Sequence, residues 1–248
     1  MKKAVIILSG GLDSACMMSY LKKGYQLYGV TFAYGQRASQ EIKAAKRIAK
    51  LLKLKEHKIL DISFMKNLYG ESNVLTSTKK KMPEKFNYSI VVPIRNAVFL
   101  SIASAWAFTL NAELVAYGAQ KGDTQYPDCR PEFYKAIHEA FAVGNWDSEK
   151  VDLYLPYLEG DKLTILRDAQ ESIAKLQLDF NTVFRNTSTS YDTDDQGRAS
   201  GKTGSDVERI LAFHELGVPD PVPYAEPWET VLQNALDLQE KHTVKPNS

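Results

Sequence analysis

At 248 residues and 44% hydrophobic composition, the chain is long enough to bury one sizeable core. Lys+Arg total 31 against 30 Asp+Glu, and the resulting net charge of +1 excludes a global field that would draw the protein to nucleic acid or to an anionic membrane. No stretch approaches the roughly 20 apolar residues of a membrane span, the apolar run from Ala4 to Leu8 is too short for a signal peptide, and Cys16 with Cys129 makes no disulfide framework, so a cytoplasmic protein is expected.

Ala4 to Leu8 is a continuous apolar run of strand length, the pattern of a strand covered on both faces of a parallel sheet. A Gly-Gly turn follows, then a helix predicted from Asp13 to Lys23 and stopped by Gly24. Gln26 to Phe32 is predicted as the second strand. Ala38 to Leu52 is predicted as an amphipathic helix carrying Ile42, Ala45, Ile48, Leu51 and Leu52 at helical spacing, and His57 to Ile62 as the third strand. Leu75 to Ser89, with Lys79-Lys80-Lys81 and Pro83, lacks any apolar period and is expected to be a mobile surface loop able to close over a ligand. Beyond it come a buried apolar helix, Asn96 to Leu110, a strand from Glu113 to Tyr117, another from Val151 to Leu155, and a helix from Asp161 to Leu176. Asn186 to Ser205, dense in Ser, Thr, Asp and Gly, is expected to be irregular; Val207 to Leu216 is predicted helical, Pro219 to Pro227 extended, and Glu229 to Lys241 helical. Strands and helices in alternation predict an α/β fold, a doubly wound and mostly parallel sheet.

The chemistry begins where the first strand enters the first helix, at Ser9-Gly10-Gly11-Leu12-Asp13-Ser14. Two glycines let the backbone approach an anion, the first-turn N–H groups point at it, and the hydroxyls of Ser9 and Ser14 add donors: a phosphate cradle. Asp13 beside a phosphate would be repulsive without a bridging cation, so its presence predicts Mg²⁺ held with ATP. A plain capped turn would explain one glycine and one serine but not an acid between two hydroxyls. No lysine follows at the Walker position, and Gly201-Lys202-Thr203 lacks both the spacing and a leading strand. A turn of this kind suits pyrophosphate as a leaving group, hence attack at the α-phosphorus and an acyl-adenylate. His57, His138, His214 and His242 have no mutual metal-ligand spacing, and Cys16 on an apolar helix is expected in the core.

Ser9 to Ser14 resembles the SGGxDS signature of the PP-loop ATP pyrophosphatases. Tyr34-Gly35-Gln36-Arg37, Val92-Pro93-Ile94-Arg95-Asn96, Gly118 with Asp123, and Tyr126-Pro127-Asp128-Cys129-Arg130-Pro131-Glu132-Phe133 are similar, in order and at compatible spacing from Lys3 to about Tyr224, to motifs of the QueC family of 7-cyano-7-deazaguanine synthases. The resemblance implies a fold like that of the adenine nucleotide alpha hydrolases. It places a catalytic domain at residues 1–180, with an extension at 181–248 packed on it. It also implies an ATP-dependent C–N ligase of queuosine biosynthesis, in which a small-molecule deazaguanine acid, 7-carboxy-7-deazaguanine, is adenylated, ammonia displaces AMP to give the amide, and a second adenylation gives the nitrile. Arg95 or Arg130 could neutralise the acid and Asp128 read the guanine-like edge. Tyr126 could stack on the ring, Cys129 line the pocket, and Gln36 and Asn96 complete the substrate set. Arg37 and Lys162 would offset charge as pyrophosphate departs, and Asp123 would hold the far side of Mg²⁺ or orient the amine. The resemblance is also compatible with a homodimer.

Two departures from the family pattern bear on function. The family's four zinc-binding cysteines correspond here to Ser190, Ser200, Thr203 and Asp206, and three hydroxyls with one carboxylate are a poor zinc site, so no zinc is expected. Ala38 stands where a histidine usually follows Tyr-Gly-Gln-Arg, although Glu41 keeps the family's position. These changes leave ATP use intact and open a second acceptor, an amine of a protein such as a chain N-terminus, as suggested for QueC-like members in antiphage defence systems.

Overall fold

The computed structural model describes residues 1–35, 39–70, 92–147 and 150–243. Among them, five strands form one all-parallel sheet in the order β3-β2-β1-β4-β5, with β1 at Lys2–Ile7, β2 at Tyr25–Ala33, β3 at Glu56–Asp61, β4 at Leu114–Ala116 and β5 at Asp152–Tyr154. The expected α/β architecture is therefore present, and the expected strands are found to within two residues at either end. The apolar run that predicted a doubly covered strand behaves as one: Ala4, Ile6 and Leu8 enter one core, Val5 and Ile7 the other. Alternate side chains of a strand point to opposite faces, so a central strand must be apolar at every position.

Helices α1 (Leu12–Leu21), α2 (Ser39–Leu51), α6 (Lys162–Lys175), α7 (Phe180–Arg185) and α8 (Gly204–Leu216) contribute to the first core. Of these α1 is apolar on nearly all sides, with Ala15, Cys16, Met17 and Met18 wholly buried between the sheet and α6, as expected for Cys16. Helices α3 (Phe64–Tyr69), α4 (Arg95–Leu110) and α5 (Pro131–Gly144) cover the opposite face. Helix α4, the expected buried apolar helix, packs one side on the sheet: Phe99, Leu100, Ala103 and Ala107 are buried there, while Ser101, Ala105 and Thr109, spaced at four residues, face solvent. Helix α9 (Trp228–Thr243) packs Val231 and Ala235 on Ile210 of α8.

Helices α3, α5 and α7 are additions to the expected elements. Asp179 caps α7 through the Thr182 amide at 2.6 Å, and both α3 and α7 span only six residues, too short for an apolar period to emerge. Between Asn186 and Ser205 there is no regular strand or helix before Gly204, as expected. Residues 71–91, and with them the loop expected at Leu75 to Ser89, lie outside the described residues. No helix among the described residues is long and apolar enough to cross a membrane.

Strand order reverses between β1 and β4: from β1 the chain adds β2 and β3 on one side, then β4 and β5 on the other. Open parallel sheets bind ligands at the carboxyl ends of the strands flanking such a reversal. The turn at Ser9 leaves β1 at that point, and Gly118 follows β4 there.

Candidate active site

Ser9 to Ser14 forms a closed turn at the amino end of α1. Ser14 Oγ donates to Gly11 O at 3.0 Å and lies 3.2 Å from Ser9 Oγ, while the Gly11 amide donates to Ser9 Oγ at 3.2 Å. A helix's first four N–H groups have no partner within the helix, so this end offers donors and the positive end of the helix dipole to an anion. The two glycines divide the work differently from the expectation that both admit an anion. Gly10 sits at φ +89°, and a Cβ there would lie 2.3 Å from the Glu41 carbonyl oxygen and 2.6 Å from the Ala45 amide. Gly10 is thus required by the close approach of α2, whose first turn braces the phosphate turn from behind. Gly11 has an ordinary extended φ of −78° and caps α1.

Lys162, at the start of α6, reaches across to Asp13 and donates to both of its carboxylate oxygens, at 3.1 and 2.9 Å. The pair is largely shielded, with side-chain exposures of 12% and 23%. Burial opposes the Lys162 charge, but Asp13, Glu208 and Asp123 outweigh it and raise the ammonium above its ordinary range. Asp123 accepts from the Gln120 amide at 3.1 Å in a capping box; burial and the Asp13 charge push its carboxyl up to about 6, against the pull of Lys162. Glu208 of α8 stands 3.9 Å from Lys162. Three carboxyls from three elements thus share one lysine beside the phosphate turn. Among the described residues there is no cluster of three or more side chains already set to hold a metal.

A second cluster of side chains gathers around Arg95. Arg95 Nη1 donates to the Tyr34 hydroxyl at 3.4 Å and Nε to Asn96 Oδ1 at 3.4 Å, and the guanidinium lies 5.7 Å from the Tyr34 ring centre and 5.9 Å from that of Phe99. Burial works against its charge, but Tyr34, Tyr191, Tyr117 and Asp128 outweigh this and keep it protonated. The preceding residue, Ile94, holds φ 62° and ψ 7°, a left-handed conformation that is a real outlier for a β-branched side chain and characteristic of sites where geometry is imposed by the surroundings. That bend starts α4, so that the Asn96 amide donates to Asp128 Oδ2 at 3.4 Å and Asn96 Nδ2 to Asp128 O at 3.4 Å. Cys129 Sγ accepts from Asn96 Nδ2 at 3.5 Å and lies 3.5 Å from the Tyr117 hydroxyl; burial pushes its thiol up to about 12, a packed side chain rather than a nucleophile.

The structure therefore brings together Ser9 to Ser14, Lys162 and Asp123 on the phosphate side, and Arg95, Asn96, Tyr126, Asp128 and Cys129 on the other. Arg130 differs from Arg95: it is exposed, at the N-cap of α5. Gln36, Arg37 and Ala38 lie outside the described residues. Sequence reasoning passed over Glu208 and Tyr117, which carry no motif of their own, and used Tyr34, Tyr191 and Glu41 only as landmarks.

The four family cysteine positions converge on one atom. Asp206 Oδ2 accepts from Thr203 Oγ1 at 2.7 Å, Ser190 Oγ at 3.0 Å, the Thr203 amide at 3.1 Å and Ser200 Oγ at 3.4 Å. A carboxylate oxygen ringed by donors gathers the loop. Thr203, the last residue of the false Walker sequence, is simply the N-cap of α8. From α8, Arg209 makes a bidentate pair with Asp220 at 2.6 and 2.8 Å and donates to Thr187 and Thr189 at 2.7 and 3.0 Å. Between those threonines, the Ser188 amide donates to Gly10 O at 2.9 Å, joining the loop to the phosphate turn.

A parallel sheet with this turn at its switch point defines an ATP-using PP-loop protein. More particularly, the chain belongs to the QueC family, since the family model for Queuosine biosynthesis protein QueC matches residues 3–217. The 7-cyano-7-deazaguanine synthase of Psychromonas ingrahamii is 38% identical over 231 residues, spanning 91% of this chain and 99% of that protein. That of Caldicellulosiruptor saccharolyticus is 38% identical over 229 residues, spanning 90% and 95%. The NMN synthetase structure from Francisella tularensis is a distant likeness, at 17% identity and a TM-score of 0.45 over 100% of this chain and 89% of that one.

Proposed function

We propose that this protein is a 7-cyano-7-deazaguanine synthase: it adenylates 7-carboxy-7-deazaguanine with ATP, releases pyrophosphate, and uses ammonia to form first the amide and then the nitrile. The observation that carries this reading is the Lys162–Asp13 pair, which sits at the phosphate turn, with a second, half-buried cation, Arg95, held among Tyr34, Asn96 and Phe99. Adenylation needs two anions brought together, and the phosphate turn with Lys162 and the cluster around Arg95 are two places that would suit them.

In the first step a carboxylate oxygen of the acid attacks the α-phosphorus and pyrophosphate leaves. The amino end of α1 and Lys162 balance the charge on the leaving group, and Arg95 neutralises the acid before attack. Mg²⁺ suits the donor set, because that ion keeps several waters and takes one or two carboxylates together with phosphate oxygens. Asp13 and Asp123 would hold it, and it would withdraw charge from the phosphates. Lys162 then exchanges Asp13 for phosphate. Ammonia next attacks the acyl carbon, AMP leaves with the electron pair of the C–O bond, and the amide forms; the amide oxygen is adenylated by a second ATP and lost as AMP to leave the nitrile. The homologues' names support a free nucleobase product, hence ammonia rather than a protein amine as the nitrogen source.

Purified protein supplied with Mg-ATP, the carboxylic acid and ammonium chloride should release AMP and yield amide and nitrile by mass spectrometry. Asp13→Ala should lower AMP release by at least about 10²-fold. Absence of AMP from the wild-type protein under these conditions would rule the reading out.

A further inference from the structure

A cavity of about 80 Å³ opens between α2, α7 and the serine-rich loop before α8. Its walls include no residue of the phosphate turn, nor Lys162 or Arg95. It is joined to the turn through one wall residue, Ser188, whose amide donates to Gly10 O at 2.9 Å. A single water needs about 10–15 Å³ of such space, so the cavity has room for several waters or for one small oxyanion.

Three arginines line it, Arg47 of α2, Arg185 of α7 and Arg209 of α8, against a single acid, Asp206. Arg209 and Asp206 are already committed. All five N–H groups of Arg209 go to Asp220, Thr187, Thr189 and the Phe184 carbonyl, and Asp206 Oδ2 is ringed by Ser190, Ser200 and Thr203. Arg47 and Arg185 are not: Arg47 gives one N–H to the Asn186 carbonyl at 3.3 Å, and neither guanidinium is in an ion pair among the described residues. Asp179, on which Arg185 acts, is held by the Thr182 amide and hydroxyl as the cap of α7; Asp194 of the loop is taken by Arg198 at 2.7 Å. Buried Arg209 also sets the hydroxyls of the wall. It donates to Oγ1 of both Thr187 and Thr189, and a hydroxyl that accepts in this way still has its own proton to give. Thr187 gives that proton to Phe184 O at 2.6 Å. The hydroxyls of Thr189, Ser188 and Thr193 on the same walls donate to no acceptor among the described residues.

We infer that this cavity is a second anion site, separate from the phosphate turn, which takes a phosphate group through Arg47, Arg185 and the hydroxyls of Ser188, Thr189 and Thr193. A phosphate dianion matches the two arginines that have no counter-ion, and its oxygens suit the planar fork of a guanidinium. Its remaining lone pairs meet the three hydroxyl donors. A carboxylate, with one charge and two oxygens, would leave one arginine unmatched. The inference stands on the cavity and its donors alone, whatever reaction the phosphate turn serves.

The test is calorimetric titration of inorganic phosphate into the full chain, against sodium chloride of matched ionic strength. The wild type should bind phosphate where chloride gives no heat. Arg47→Ala/Arg185→Ala should weaken phosphate by about tenfold or more. Arg185→Gln, which leaves the Arg47–Asn186 bond in place, should weaken it by about threefold or more. Both arginines are exposed, so each variant should melt within a few degrees of the wild type; should the double variant fold poorly, Arg185→Gln decides. Glycerol phosphate titrated in parallel separates the two sources of the group: affinity equal to that of inorganic phosphate assigns the site to a phosphate monoester, and failure to bind assigns it to the free ion. Absence of phosphate binding to the wild type overturns the inference. Wild-type affinity in Arg185→Gln and in the double variant overturns it as well, because the phosphate would then sit elsewhere, at the turn from Ser9 to Ser14.

Discussion

In the proposed reading Lys162 joins stability to catalysis in one side chain. With its partner it is mostly removed from water, and it faces three carboxyls at once. Removing the lysine leaves Asp13 beside Asp123 and Glu208 with no cation among the described residues to separate them. A fully buried pair broken on one side costs about 3–5 kcal/mol; the partial exposure here argues for about 1–3 kcal/mol in Lys162→Ala. Removing both charges in Asp13→Ala/Lys162→Ala should cost less than the two single losses combined, with a coupling of about 1 kcal/mol or more by urea denaturation. Additivity within about 0.5 kcal/mol would mean the pair contributes nothing as a pair. Pyrophosphate exchange should nevertheless be lost in all three variants. Asp13 was legible as chemistry because it stands between two hydroxyls on a glycine turn. Lys162 was legible only through family resemblance, because 149 residues separate it from its partner. Glu208 was not legible, since a glutamate on an amphipathic helix is ordinarily solvated. Gly10 carried the right signal for a partly different reason: its missing Cβ makes room for α2.

Helix α8 and the loop before it are organised around a single carboxylate oxygen. A metal holds a loop by collecting four anionic ligands on one centre. Here the centre is Asp206 Oδ2, with donors from Ser190, Ser200 and Thr203 around it. Burial raises that carboxyl, whereas the bonds from Thr203 and Ser190, with Arg209 nearby, act against the rise. Asp206→Asn keeps the size but removes the charge, and it can turn an NH₂ group toward hydroxyls arranged to donate. Hydrogen bonds to a charged group contribute about 1.5–3 kcal/mol, so the variant should melt about 3–12 °C lower. The Ser188 link to Gly10 implies that adenylation weakens with it. An unchanged melting temperature would show that the loop is organised elsewhere. Added zinc should restore nothing, as the site has no thiolate to offer. The hydroxyls were legible as substitutes, but their convergence on one oxygen was not, because it depends on a turn that folds residue 190 onto residue 206. Helix α5 was legible in principle, from Pro131 at its first position and Phe133, Ile137 and Phe141 four residues apart; its neighbour α7, six residues long, offers no period at all.

At the scale of the whole molecule, the alternating strands and helices made the parallel sheet legible, and the strand reversal then places the phosphate turn, Asp123 and the Arg95 cluster at one edge. The consequence is an accumulation of acid groups at that edge whose titration belongs to the fold. Asp123 and Glu41 are both raised above ordinary carboxyl values, to about 6 and about 7, burial being the larger cause in each. The folded state therefore binds protons that the unfolded chain has already released. Their contribution favours folding at pH below the ordinary carboxyl range and is lost as pH rises toward 7. In the proposed reading a cation-bound nucleotide should act in the opposite sense, because Asp13 and Asp123 would hold a cation only when ionised. A non-hydrolysable ATP analogue at about 100 times its Kd adds about 2.7 kcal/mol, or about 5–10 °C in melting temperature for a chain of this size. With Mg²⁺ present that shift should be larger at pH 7.5 than at pH 5.5, and Asp123→Asn should flatten the difference while raising the stability of the unliganded protein at pH 7.5. Thermal melts across both pH values, with and without Mg²⁺, provide the check: a shift independent of pH and of Mg²⁺ would separate these carboxyls from nucleotide binding, and would leave the amino end of α1 and Lys162 to hold the phosphates alone.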